Sequence, residues 1–111
     1  NKEYLDNDKD QDNPSKDNIN IMYFYTEWCP YCKKAKPEWD KFSQYINNFN
    51  KTNKKYSVTL KSIDCDKDTK MANKYNIKGY PTIKLIKDNK VNEYDARPDK
   101  DNLVQFLESY I

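Results

Sequence analysis

Histidine is absent from this 111-residue chain, and glycine occurs once, at Gly79. A metal centre is therefore not expected: tetrahedral zinc takes four ligands, and without imidazole only three cysteine sulfurs are on offer. Three cysteines are also too few for a disulfide scaffold. No apolar stretch approaches the ~20 residues that span a bilayer, so no membrane segment is expected. An excess of one charge is missing too, since 20 Lys and Arg face 18 Asp and Glu for a net +2. No basic run alternates with aromatic residues, which argues against nucleic acid as a partner. There is no internal repeat and no signal-peptide pattern. The chain opens on Asn1 rather than Met, so a leader, another domain or a cloning boundary is expected upstream.

What is present fits one soluble domain with one core: 36% hydrophobic and 34% charged residues. Residues 1–18 are polar, with Asp6, Asp8, Asp10, Asp12 and Asp17 interleaved with Asn, Lys and Ser and interrupted by Pro14. They are expected to be a disordered tail, leaving residues 19–111 as the folded domain. Residues 19–25 are apolar on both alternating faces, as a central strand should be. From residue 30 to about 48, Ala35, Trp39, Phe42, Ile46 and Phe49 recur at helical spacing, with Pro30 in the first turn and Pro37 expected to kink the helix. A polar loop over residues 50–55 should lead to a strand at 56–64. A short helix follows at 68–75, with Met71, Ala72 and Tyr75 inward. Residues 82–87 and 91–94 read as a hairpin around Asp88-Asn89. Asp99 caps a last helix that turns Leu103, Phe106, Leu107 and Tyr110 inward. The order is β-α-β-α-β-β-α, an α/β fold with a parallel first half and an antiparallel second half.

The chemistry concentrates where the first strand meets the first helix. A thiolate, not a thiol, attacks a disulfide, so a useful cysteine must ionise below about 8.5. Cys29 stands at the helix start, where free N–H groups and the helix dipole present positive potential. Cys32 lies one turn on, along the same face and within reach to close a ring. Cys29 is thus expected to be the exposed nucleophile and Cys32 the partner that resolves the mixed disulfide.

The segment Phe24-Tyr25-Thr26-Glu27-Trp28-Cys29-Pro30-Tyr31-Cys32-Lys33-Lys34, with Pro37 beyond it, resembles the active site of the thioredoxin superfamily. Ile77-Lys78-Gly79-Tyr80-Pro81-Thr82-Ile83-Lys84 is similar to that family's second signature, the cis-proline loop facing the cysteines. The resemblance implies a thioredoxin fold, a mixed four-stranded sheet flanked by helices. It also implies a cis Tyr80–Pro81 bond, a Tyr80 backbone that pairs with substrate, and a Trp28 that shapes the contact surface together with Pro30 and Tyr31. Pro30-Tyr31 between the cysteines is similar to glutaredoxins, whereas Trp28, Lys33-Lys34 and Pro37 are similar to thioredoxins and protein disulfide isomerase domains. The residues from Gly79 to Lys84, the Ile63-Asp64-Cys65-Asp66 strand end and Tyr94-Asp95-Ala96-Arg97 sit closest to the isomerase domains. The Gly-Gly and acidic pair that hold glutathione in glutaredoxins are absent, so dedicated glutathione use is not implied.

Two departures touch the mechanism. The buried acid that the family carries six residues before the first cysteine is Tyr23 here, and its usual lysine partner falls at Ser62, with Lys61 on the other face. Loss of both is consistent, since either charge buried alone would be costly. Tyr23 hydroxyl, or water, is then the expected substitute for the acid near Cys32, and Arg97 is a candidate to swing toward Cys32. Cys65 reads as a buried, inert residue. The resulting expectation is a monomeric protein thiol–disulfide oxidoreductase without a bound cofactor. Its partners would be protein dithiols and disulfides and a recycling reductase or oxidase, in the cytoplasm or an oxidising compartment such as the endoplasmic reticulum lumen. The alternative is a redox-weak binding or structural module on the same fold.

Overall fold

The computed structural model describes residues 16–111. The first strand, β1 (Asp17–Tyr25), enters the centre of the sheet because both of its faces are apolar. Ile19, Ile21 and Tyr23 point into one buried cluster and Met22 and Phe24 into another. Helix α1 (Pro30–Thr52) crosses over to β2 (Tyr56–Asp64), which pairs parallel with β1 in the register Tyr23↔Ser62. After the short α2 (Thr69–Lys74), strand β3 (Thr82–Lys87) pairs antiparallel with the other side of β1. Strand β4 (Lys90–Glu93) folds back on β3 and α3 (Lys100–Glu108) closes the chain. The sheet order is β2-β1-β3-β4, the mixed four-stranded sheet expected, with the order of elements as read from the sequence.

The larger cluster lies between the sheet and the pair α1 and α3. Its fully covered members include Phe42 on α1, Leu85 on β3 and Leu107 on α3. Burying each such side chain contributes roughly 1.5–3 kcal/mol. The smaller cluster holds Met22, Phe24, Ile63 and Cys65, with Met71, Ala72 and Tyr75 of the α2 segment packed at its edge. The hairpin turns through Asp88 and Asn89, both at positive φ (53° and 64°), a conformation that short polar side chains tolerate best.

Several boundaries differ from the sequence reading; α2, expected over 68–75, spans Thr69–Lys74, and β4 begins at Lys90 rather than 91. Strand β1 starts at Asp17, two residues into the expected tail, because the Asp17 N–H bonds the Lys55 carbonyl at 2.9 Å and extends the parallel ladder. The first fifteen positions of that tail lie outside the described residues. Helix α1 runs to Thr52 and takes up residues expected in a loop. Its last turn is held by Asn50, whose side chain both donates to the Val58 carbonyl and accepts from the Val58 N–H, each at 2.8 Å. Strand β4 ends at Glu93, one residue early, although the Tyr94 N–H still bonds the Ile83 carbonyl at 2.9 Å. Pro37 sits inside α1 without ending it.

Candidate active site

The parallel β1–β2 pair and the crossover helix place the end of β1 directly before the start of α1. Cys29 occupies the N-cap of α1, with extended backbone (φ −75°, ψ 120°) and a sulfur that accepts the Cys32 N–H at 3.3 Å. The cap role usually filled by a hydroxyl or carboxylate is here filled by the thiol. Its Sγ lies 3.6 Å from the Tyr80 carbonyl oxygen. Tyr80 is joined to Pro81 by a cis peptide, so the two segments singled out in the sequence meet at this sulfur.

Cys29 was expected to be exposed, and it is not: the residue is 4% accessible, hardly more than Cys32 at 3%. The Tyr80 backbone lies against the sulfur, while the flanking Trp28 and Tyr31 splay outward at 62% and 70% accessible. Both cysteines are free thiols, as is the buried Cys65. Burial pushes the Cys32 thiol up to about 11, helped by its hydrogen bond with Cys29 and opposed by a hydrogen bond from the Thr26 backbone. Burial likewise raises the Cys65 thiol, with nearby Asp64 adding to the effect.

Trp28 is a surface residue with two fixed contacts. Its indole N–H donates to Asp66 Oδ2 at 2.9 Å, and its ring meets Tyr80 edge-on at 6.0 Å between centroids. On the other side of the pair, Tyr23 stacks between Tyr25 (5.6 Å) and Trp39 (4.9 Å) and donates its hydroxyl to the Cys32 carbonyl at 3.2 Å. Trp39 in turn donates its N–H to Ser62 Oγ at 3.2 Å. The two positions where an acid and a lysine were missed, 23 and 62, are therefore register partners that flank one tryptophan. An uncharged aromatic stack fills the room that an ion pair would have taken. Burial raises the Tyr23 phenol far above its usual value, and the neighbouring Cys32 adds to the effect.

Two hollows flank the cysteines. One, of about 670 Å³, is lined by Tyr31, Lys34, Tyr80, Pro81, Tyr94 and Arg97 among others. The other, of about 480 Å³, reaches Cys32 and is walled by Tyr23, Thr26, Trp39 and Ser62. Arg97 is thus exposed on the first hollow and does not line the one that reaches Cys32. Glu38 binds α1 to α3: it accepts the Lys100 N–H at 2.9 Å, and that bond, ahead of the Lys41 side chain, holds its carboxyl below the usual range. Thr26, Asp66 and Glu38 were not singled out as site residues from the sequence. Of these, Asp66 was visible only as part of a strand end and Thr26 only as part of the segment around the cysteines, and Glu38 carries no local signal. Among the described residues, no group of three or more Cys, Asp or Glu is placed to hold a metal ion, and no helix is long and apolar enough to cross a membrane.

Comparison with known proteins agrees with this geometry. The family model described as Thioredoxin matches residues 4–109. A probable protein disulfide-isomerase A4 from Caenorhabditis elegans is 34% identical over 82% of this chain, and a protein disulfide-isomerase from Datisca glomerata is 30% identical over 93% of it. The chain spans only 13% and 20% of the lengths of these two relatives. Among solved structures, the first thioredoxin domain of mouse protein disulfide-isomerase A4 aligns with a TM-score of 0.68 at 27% identity, covering 82% of this chain and 61% of that one. Thioredoxin-2, titled as a component of malaria parasite protein secretion machinery, aligns with a TM-score of 0.69 at 26% identity, covering 85% of this chain and 84% of that one. A match over almost the whole sequence, centred on a thiol-capped helix opposite a proline loop, makes this chain a member of the thioredoxin family with protein disulfide isomerase-like relatives.

Proposed function

We propose that this chain is a protein thiol–disulfide oxidoreductase that works through Cys29 and Cys32. The observation that carries the reading is Cys29 Sγ at the α1 N-cap, in contact with the Cys32 N–H and the Tyr80 carbonyl. Cys29 attacks one sulfur of a substrate disulfide, and the other substrate sulfur leaves as a thiolate. Cys32 then attacks Cys29 Sγ, closes the intramolecular disulfide and frees the second substrate sulfur. Two electrons pass from the cysteine pair to the substrate, and the reverse sequence donates a disulfide. A separate reductase or oxidase restores the starting state.

The 670 Å³ hollow supports a polypeptide substrate. Tyr31, Tyr80, Pro81 and Tyr94 offer apolar surface beside the sulfur. The acids of that hollow are engaged, Glu38 with Lys100 and Lys41, and Asp99 with the Asn102 N–H. Lys34 and Arg97 form no ion pair among the described residues. The preferred substrate segment therefore carries a large apolar residue and an acidic residue close to its disulfide.

Insulin reduction driven by dithiothreitol tests the reading: turnover that is present in the wild type and lost in Cys29→Ser supports it. One observation favours the alternative, a redox-weak binding module. With Tyr23 where the family carries an acid and Cys32 pushed up to about 11, ring closure is slow unless a proton leaves readily. Turnover unchanged by Cys29→Ser, or absent altogether, decides for the module. The direction of exchange follows from the reduction potential measured against glutathione. A value near about −270 mV assigns a reductant, and one near about −180 mV assigns an oxidase or isomerase of an oxidising compartment.

A further inference from the structure

Buried hydroxyls are normally hydrogen-bonded, and an exception calls for a reason. Among the described residues, Thr26 Oγ1 is the buried side-chain oxygen with no partner, in a residue 1% accessible. Thr26 follows β1 directly, three positions before Cys29. Its backbone partly offsets the rise of the Cys32 thiol, and its side chain lines the 480 Å³ hollow that also takes in Cys32. An unpaired hydroxyl, a buried thiol and a space open to solvent thus share one wall. A polar hollow of that size accommodates several waters. Thr26 Oγ1 has no partner among the described residues, and the hollow beside it offers room for a water to pair with it.

The other groups around the thiol leave this route unopposed. From β1, the Tyr23 hydroxyl is committed to the Cys32 carbonyl, and Tyr25 lines the same hollow. From the turn and α1, Glu27, Lys33 and the Lys36–Asp40 pair (3.1 Å) form the exposed mouth. Cys29, Cys65 and Tyr80 bear on the thiol from the remaining sides, and none of the three is a carboxylate.

Resting on the exchange chemistry proposed above, we propose that Thr26 is a positioning residue whose hydroxyl holds a water that carries the Cys32 proton to solvent during ring closure. The S–H proton passes to that water and on through the hollow. Cys32 sulfur bonds to Cys29 Sγ, the Cys29–substrate S–S bond breaks, and the departing substrate thiolate takes a proton from solvent. One disulfide replaces another, so no external oxidant is required.

The test separates the two chemical steps by stopped-flow tryptophan fluorescence after mixing reduced protein with excess oxidised glutathione. Attack by Cys29 is read alone in a Cys32→Ser background, and ring closure in the presence of Cys32. Thr26→Val should slow ring closure about tenfold near pH 7, with the gap closing as the pH nears about 11 and the thiol ionises unaided. Thr26→Ala should behave like Thr26→Val, Thr26→Ser should stay within about twofold of wild type, and attack by Cys29 should be unchanged in all three. Ring closure in Thr26→Val within about twofold of wild type across the pH range overturns the proposal, as does a Thr26→Ser as slow as Thr26→Val. Equal slowing of both steps also overturns it, because that marks a general structural effect. A wild type that forms no mixed disulfide overturns the exchange reading and this one together; a normal wild type with a normal Thr26→Val overturns only this one.

Discussion

Cys29 and Cys32 lie within one helical turn, yet their surroundings differ. Cys29 meets the Tyr80 carbonyl beside a hollow of tyrosines, prolines and two cations that form no ion pair among the described residues. Cys32 faces a hollow of hydroxyls and stacked rings, and burial keeps its proton on. The first environment suits a polypeptide, which needs apolar contact and a backbone carbonyl to pair with. The second suits a proton and a few waters. The difference teaches that in this chain a spacing of three residues is enough to give two cysteines separate surroundings, because Cys32 lines one hollow while Cys29 meets the carbonyl of Tyr80, which lines the other.

The largest expected effect comes from removing the thiol on the recognition side. Cys29→Ser should lower insulin reduction by at least about 10³-fold while leaving the circular dichroism spectrum intact. Trp28→Ala should come next. It deletes the bond to Asp66 and the edge contact with Tyr80 that hold the exposed ring in place, so kcat/KM for a peptide disulfide should fall about tenfold while Tm drops by a few degrees. Charge reversal at Lys34→Glu or Arg97→Glu should sharpen the contrast further. It should reduce kcat/KM about threefold for a peptide with an acidic residue beside the disulfide, leave a neutral peptide unaffected, and fade at high salt.

The remaining two predictions concern the side of Cys32. Tyr23→Phe removes the hydroxyl that bonds the Cys32 carbonyl and should cost about 1 kcal/mol in urea unfolding, with peptide KM unchanged. The last is a pH dependence. The Cys32 thiol ionises at about 11 in the folded chain against 9.0 ordinarily. Between those values the unfolded state binds fewer protons than the folded state, so stability falls as pH rises through that window. Cys32→Ser should make the urea midpoint flatter there, and an identical slope in both proteins would show that Cys32 does not contribute it.

Much of this was legible in the sequence because it depends on local spacing. The apolar face of α1 from Ala35 to Phe49, the Asp99 cap and the Asp88-Asn89 turn each follow from a few adjacent residues. The cysteine pair and the Tyr80–Pro81 loop were readable as separate segments, and their meeting at one sulfur followed only from resemblance. What escaped depends on partners far apart in the chain. The end of α1 is set by Asn50 reaching Val58, the link between α1 and α3 by Glu38 reaching Lys100, and the tilt of Trp28 by Asp66. Burial of Cys29 escaped for the same reason, since it depends on Tyr80, fifty-one positions away. The unpaired hydroxyl of Thr26 left no trace because a missing hydrogen bond has no signature in a sequence.

The Lys87 side chain decides where the two ends of the described residues lie. Its ammonium bonds the Tyr110 carbonyl at 2.6 Å and lies 5.1 Å from the centre of the Tyr56 ring, and Tyr56 is the register partner of Asp17. The two ends of residues 16–111 are thereby gathered at one pole. Strand β1 runs from that pole to the cysteines, a distance of roughly 30 Å at 3.3 Å per residue. The first and last of the described residues therefore lie at the base, and the cysteine pair lies at the far end of β1. Holding both ends at one pole leaves the other pole, where the Cys29 sulfur meets the Tyr80 carbonyl, clear of them.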